Sequence, residues 1–209
     1  MPAQVRNSAD DVFVNCPFDD AYEPIFRALI FAIYACEFRP RTARELDDAG
    51  QARIEKLYNL IGECRFGIHD ISRTELDAVS NLPRFNMPLE LGIFLGAKRY
   101  GGTPQKAKRL LVLDVEPFRY QRFISDLAGI DIHAHNGNPE RALRETRNWL
   151  ANVSRRTLPS ANRIANLNRH FLADLPALAE ELDFDPESIP YVDYERIVVG
   201  WLLQPTQSD

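Results

Sequence analysis

Residues 110–115 read Leu-Leu-Val-Leu-Asp-Val and form the clearest strand signal in the chain. A short, aliphatic and uninterrupted run is typical of a strand that is covered on both faces of a parallel sheet. The runs at 12–16 and 65–71 have the same character, and extended segments are also predicted at 38–42 and 129–133. The fold then depends on what lies between these runs.

Helical patterns separate the predicted strands. Apolar residues recur at the three-and-four spacing of one helical face over residues 22–36, and similar helices are predicted at 54–61, from Pro88 onward, and at 139–153. Strands that alternate with helices favour a parallel sheet covered on both faces. We therefore predict a small, doubly wound α/β domain over residues 10–155.

The pattern changes beyond residue 155. Residues 164–182 predict one or two helices around Pro176, and residues 194–203 form a further apolar segment. We predict a helical C-terminal appendage over residues 156–209 that packs on the sheet domain or on a partner. Its apolar residues are explained equally well by self-association into a homo-oligomer and by cover for one face of the sheet.

Composition excludes several classes of protein. The 209 residues are 45% hydrophobic and 26% charged, enough apolar material for one good core. A net charge of -5 gives no global field that attracts nucleic acid, so no nucleic-acid partner is expected. No apolar run approaches the roughly 20 residues that span a bilayer, and residues 1–10 are polar, so we expect no membrane partner and a cytoplasmic location.

Cysteine and histidine usage gives no metal or disulfide signature. Cys16, Cys36 and Cys64 are odd in number and lack C-x-x-C spacing, which predicts buried thiols. His133 and His135 could share a metal, but no acidic or thiol ligand stands nearby, and a polar strand end followed by a turn is favoured. We therefore predict no metal site.

Polar residues follow several of the predicted strands. Ligands of open α/β sheets bind beyond the carboxyl ends of strands, which directs attention to residues 15–20, 69–73 and 84–92. None of these segments carries a dinucleotide fingerprint, a P-loop, a nucleophile elbow or an H-E-x-x-H motif. Glu90 stands out as a charge among apolar neighbours, although a carboxylate there also fits the positive end of a helix.

Three of these elements together resemble a known superfamily. Residues 12–18 read Val-Phe-Val-Asn-Cys-Pro-Phe, the strand at 66–70 ends in Asp70, and residues 86–92 read Asn-Met-Pro-Leu-Glu-Leu-Gly. This ordered set, over about residues 11–115, is similar to the bacterial TIR-like and nucleoside 2-deoxyribosyltransferase-like superfamily. The resemblance implies a flavodoxin-like fold and cleavage of N-glycosidic bonds in nucleosides, nucleotides or NAD.

The resemblance also implies roles for individual residues. It places the catalytic glutamate at Glu90 and a companion carboxylate at Asp70, with Asn15 and either Phe18 or Asp19 beside the ribose and base. Carboxylates suit this chemistry because breaking the bond develops positive charge on the sugar, which a carboxylate stabilises or attacks. The full predicted site comprises catalytic Glu90 and Asp70, with Asn15, Phe18, Asp19, Arg53 and Asn86 binding the substrate.

Several of these residues have structural alternatives. A strand-end aspartate such as Asp70 equally often caps the following turn, here near Ser72. Arg44 and Arg53 could bind a substrate phosphate, but a solvated ion-pair face is the more common role for such residues. For His69, a satisfied sheet histidine is favoured over a general acid.

The site residues predict a glycohydrolase that takes a nucleotide or NAD as its substrate and needs no bound cofactor. One alternative is a module of the same fold that binds a nucleotide without cleaving it, or that associates through its surface. This alternative is motivated by residues 16–20, which read Cys-Pro-Phe-Asp-Asp where a TIR domain more often has a serine-containing loop. Another is a nucleoside deoxyribosyltransferase, which passes the sugar to a free base.

Overall fold

A single parallel sheet forms the centre of the molecule. The computed structural model describes residues 10–45, 50–76 and 81–204. Its five strands run in the order β2-β1-β3-β4-β5, and every neighbouring pair is parallel. This order is that of a flavodoxin-like fold, so the predicted fold class is confirmed. The strands are β1 (Asp11–Asn15), β2 (Arg39–Thr42), β3 (Phe66–Asp70), β4 (Arg109–Asp114) and β5 (Ile132–Ala134).

Helices cover both faces of this sheet because side chains alternate along each strand. In β1, Val12 and Val14 belong to the core formed with α1 and α5, whereas Phe13 packs with the apolar residues of α2 and α3. The sheet is therefore doubly wound, as predicted. The helices are α1 (Glu23–Ala35), α2 (Arg53–Glu63), α3 (Asn86–Tyr100), α4 (Thr103–Lys106), α5 (Pro139–Ser154), α6 (Ala161–Glu181) and α7 (Tyr191–Leu202).

The C-terminal helices pack on the sheet domain. Arg155 ends α5 in the left-handed conformation, with φ 60°, and the chain then turns into α6. The ring of Phe171 in α6 stacks on Phe31 of α1 with centroids 5.3 Å apart, and Trp201 of α7 lies 5.6 Å from Phe171. The appendage thus continues the core over α1, and α6 runs as one helix through Pro176. Residues 205–209 of the predicted appendage lie outside the described residues.

Element boundaries differ from the predictions where the sequence lacks periodicity. The last strand begins at Ile132, later than predicted, because Gly129 adopts φ 93° in the preceding turn. The short helix α4 is absent from the predictions, since its four residues, Thr-Pro-Gln-Lys, show no helical pattern of apolar residues. All three cysteines are buried and free, as predicted. Within the described ranges, no helix has both the length and the apolar character needed to cross a membrane.

Gly67 is the residue of β3 that lets α3 pack closely on the sheet. A Cβ atom placed there would lie 2.7 Å from the Phe94 ring and 2.9 Å from Nε2 of His69. We expect Gly67→Ala to lower the free energy of unfolding by about 1–3 kcal/mol, because both rings are buried and must shift. Urea denaturation measures the change. Gly62→Ala in α2 is the control: apart from the backbone of its own helical turn, a Cβ atom there would meet nothing within 4 Å, and the variant should be stabilised by up to about 1 kcal/mol.

Candidate functional site

A pocket opens at the carboxyl end of the sheet, between the end of β1 and α3, the helix that follows β3. The crossovers that leave these two strands diverge to opposite sides of the sheet, which is the usual ligand position in this topology. The pocket has a volume of about 150 Å³. Its walls are the segment after β1, the first residue of α2, and the start of α3. The lining residues are Asn15, Cys16, Pro17, Phe18, Arg53, Arg84, Asn86, Met87 and Glu90.

Glu90 is a buried carboxyl group in the wall of this pocket. It is 7% exposed because it lies on the inner face of α3, at the helical spacing shared by Met87, Leu91 and Phe94. Burial raises the pKa of Glu90 to about 7, and the nearby Arg53 guanidinium partly opposes this rise. Both protonation states are therefore populated near neutral pH, which suits a group that exchanges protons or stabilises positive charge.

Asn15 holds the start of α3 against β1. Its Nδ2 donates to the carbonyl oxygen of Met87 at 2.8 Å and lies 3.1 Å from Nδ1 of His69. Burial, together with the charge of Lys108, lowers the pKa of His69 to about 3, so the ring is neutral and Nδ1 can accept. Asn15 lines the pocket, as predicted, but its amide hydrogens also fix the helix that carries Glu90.

Lys108, the cation that acts on His69, is unusual for a lysine because its side chain is only 1% exposed. Its ammonium group donates to the carbonyl oxygens of Ile61 and Cys64 at the end of α2. Burial lowers the pKa of Lys108 to about 8. A cation beneath the last carbonyls complements the negative end of the helix and fixes α2 at the end opposite Arg53.

Asp19 lies beside the pocket rather than in its wall. Its two oxygens are 3.4 Å from Arg73 and 3.6 Å from Arg84, and Oδ1 also accepts from the backbone N–H of Tyr22. The ion pairs are partly exposed, and such pairs each contribute about 0–1 kcal/mol. Asp19 therefore touches the site through Arg84, a pocket residue that the sequence did not single out.

Asp70 does not meet Glu90 in an open cleft, contrary to the expectation. It is 0% exposed, and its Oδ2 accepts from the Tyr22 hydroxyl at 2.7 Å and lies 3.1 Å from Nε2 of His135. Its Oδ1 accepts from the backbone N–H of Ser72 at 2.8 Å. Asp70 therefore caps the turn that follows β3, which is the structural role that the sequence offered as the alternative to catalysis. The structure thus gives Asp70 a role in joining the ends of the strands.

Arg44 and Arg53 have different surroundings. Arg44 pairs with Glu23 at 2.9 Å and lies over the Phe18 ring at 4.7 Å. It therefore has the ion-pair role that the sequence offered as the alternative to binding a phosphate. Arg53 lines the pocket, and no carboxylate of the described ranges forms an ion pair with it. Of the two arginines, Arg53 is the one available to a ligand.

Comparison with known proteins gives no relative. A scan against protein-family models, a search of the curated proteins and a search of the solved structures each found no match. The superfamily resemblance therefore stays a prediction, and the functional interpretation depends on the geometry of the pocket.

The histidine and cysteine side chains add neither a metal site nor a nucleophile to this pocket in the described part of the chain. His133 lies 2.7 Å from Glu145, a polar pair beside the strand end. Over the described part of the chain, no cluster of three or more histidine, cysteine, aspartate or glutamate side chains could hold a metal ion. Cys16 lines the pocket, but burial and then the Asp70 charge raise its thiol pKa well above the usual value, so it is a poor nucleophile.

Sequence reasoning missed two kinds of residue. Arg84 could have been found from its position two residues before Asn86, in a segment already predicted to face the ligand. Tyr22 and His135 could not, because they reach Asp70 from segments distant in the chain, one before α1 and one after β5.

Proposed function

We propose that this protein cleaves the N-glycosidic bond of a nucleotide or of NAD, with Glu90 as the catalytic carboxylate. The observation that carries the proposal is the buried Glu90 side chain in the wall of a pocket at the switch point of the sheet. Asn15, Phe18, Arg53 and Asn86 line the same pocket and would bind the substrate.

The chemistry requires little beyond one well-placed carboxylate. The bond between C1′ of the sugar and the base nitrogen breaks, and its electron pair leaves with the base. The ionised Glu90 stabilises the positive charge that develops at C1′, or forms an ester with it. A water molecule then adds to C1′ and loses a proton to solvent; where an ester has formed, its bond between C1′ and the Glu90 oxygen breaks and the carboxylate is regenerated. Because the site has a low dielectric constant, this stabilisation is stronger than it would be in water.

The single acid in the pocket favours one type of leaving group. Among the described residues that line it, Glu90 is the only acid. A pyridinium base such as the nicotinamide of NAD leaves as a neutral molecule and needs no proton, whereas a purine leaves more easily when an acid protonates it. This difference supports NAD-type substrates over purine nucleosides.

We expect purified protein to release the free base from NAD, and Glu90→Gln to reduce the rate at least about 100-fold. Chromatographic detection of nicotinamide, with a parallel panel of nucleosides, measures this. Glu55→Gln, on the exposed face of α2, is the matched control and should retain full activity. Equal rates in wild type and Glu90→Gln, or no turnover by either even at concentrations that promote assembly, would contradict the proposal.

The pH dependence of kcat/KM should report the Glu90 carboxyl. Because the ionised form is the active one and its pKa is raised to about 7, kcat/KM should rise about tenfold per pH unit below pH 7 and level off above it. Initial rates from pH 5 to pH 9 measure the profile. A rate that falls as the pH rises through 7 would show that Glu90 does not act as a carboxylate.

A nucleotide-binding module without turnover is the second candidate, and the small size of the pocket favours it. Sites for drug-sized ligands measure about 300–1,000 Å³, so 150 Å³ encloses only part of a nucleotide. Tight binding of NAD with no release of base would support this candidate. Addition of a free base to the assay separates a deoxyribosyltransferase, which forms a new nucleoside, from a hydrolase.

A further inference from the structure

We infer that the pocket selects N-glycosides that carry a phosphate on the sugar, and that Arg53 is the residue that makes this selection. The inference rests on the proposed function, because it assigns the two ends of one substrate to Glu90 and Arg53. It names a specificity-determining residue and the chemical group that the residue recognises.

Arg53 lies at a helix end that favours an anion over a cation. It is the first residue of α2, and the positive end of a helix disfavours a cation. No carboxylate of the described residues lies within ion-pair distance of it, although its charge acts on the Glu90 carboxyl, whereas Arg44 is paired with Glu23. An anionic ligand would satisfy both Arg53 and the helix end.

The dimensions of the pocket place that anion at its rim. The enclosed volume of about 150 Å³ is too small for a whole nucleotide, so the sugar lies inside and the other groups extend outward. With C1′ held at Glu90, the phosphate on the opposite side of the sugar reaches the exposed rim, where Arg53 lies. A guanidinium group binds phosphate oxygens through two parallel hydrogen bonds.

A second arginine stands at the same rim on another element. Arg84 precedes α3, lines the pocket and shares Asp19 with Arg73. Arg53 and Arg84 thus place two guanidinium groups at one rim in a chain whose net charge is -5, with Arg84 also paired with Asp19. Recognition of a phosphorylated substrate is therefore local and should weaken as salt is added.

The test compares nicotinamide mononucleotide with its dephosphorylated riboside. We expect wild type to cleave the mononucleotide with kcat/KM at least about tenfold higher than the riboside, and Arg53→Gln to bring the ratio to within about threefold of one. Arg169→Gln, an exposed arginine on α6, is the matched control and should keep the wild-type ratio. Thermal unfolding of each variant verifies that it is folded.

A second measurement separates recognition from a purely structural role. Arg53 partly opposes the raised pKa of Glu90, so Arg53→Gln should move the midpoint of the pH profile for riboside cleavage upward. A structural defect would lower the rate without moving the midpoint.

The outcomes distinguish failure of this inference from failure of the proposed function. Equal cleavage of both substrates by wild type, or an unchanged ratio in Arg53→Gln, would overturn the inference and leave the glycosidase intact. Cleavage of neither substrate would overturn the proposed function. In that case calorimetric titration with AMP and adenosine decides: tighter binding of AMP that is lost in Arg53→Gln supports phosphate recognition, and equal binding overturns it.

Discussion

Replacing Glu90 with glutamine should make the protein more stable, by about 3 kcal/mol at pH 8. The carboxyl has a pKa of about 7 in the folded protein against an ordinary value of 4.5, so the folded state opposes its ionisation. This penalty is absent below pH 4.5, grows as the pH rises to 7 and is complete above 7. Glutamine has nearly the same shape and carries no charge, so the variant avoids the penalty.

Thermal unfolding of wild type and Glu90→Gln at pH 4 and pH 8 measures the effect. For a chain of 209 residues, 3 kcal/mol corresponds to a rise in Tm of roughly 6–12 °C at pH 8, with little difference expected at pH 4. Glu55→Gln serves as the control for an exposed glutamate and should change Tm little at either pH. A Tm difference that does not depend on pH would show that Glu90 is not ionised against an unfavourable environment.

Removing Asp70 should have the opposite effect and should destabilise the protein by about 3–5 kcal/mol. Asp70→Ala leaves the Tyr22 hydroxyl and the Ser72 N–H without their buried acceptor, and removes the carboxylate that lies 3.1 Å from Nε2 of His135. These three groups come from the segment before α1 and the ends of β3 and β5, so the loss loosens the carboxyl edge of the sheet. Urea denaturation at pH 7 measures the change in free energy of unfolding.

Two variants sharpen the interpretation of Asp70. Asp126→Ala removes an exposed carboxylate and should cost less than about 0.5 kcal/mol. Asp70→Asn keeps the shape and one acceptor oxygen, and should reduce base release less than about tenfold, because Asp70 lies outside the pocket. A loss of 100-fold or more in a folded Asp70→Asn protein would restore Asp70 to the catalytic site.

Most of the fold could be predicted because the central strands β1 and β3 are buried at every position. Strands of this kind are mostly apolar, and the runs at 12–16 and 110–115 have that character, with one polar residue each near the carboxyl end. Boundaries were less predictable where structure depends on turns: β5 is only three residues long, and its start follows a left-handed glycine. The strand order depends on packing between distant segments, which a single sequence does not display.

The residues that line the candidate site could largely be predicted, but the partners that those residues contact could not. Asn15, Phe18, Arg53, Asn86 and Glu90 meet because parallel strands end at one edge, so polar residues after each strand converge. Whether a carboxylate at that edge faces the pocket or the interior depends on the partners it finds. For Asp70, those partners are long-range contacts that no local pattern reveals.

The buried amine of Lys108 can be used to measure how often the end of α2 opens. Acylating reagents modify an amine only when they reach it, so Lys108 stays protected as long as the end of α2 stays closed, whereas the neighbouring Lys106 is exposed. Its rate of acylation therefore follows the opening of α2 in the intact, unmutated chain. Because Arg53 begins the same helix, that rate also shows whether a ligand at the pocket tightens α2 along its whole length.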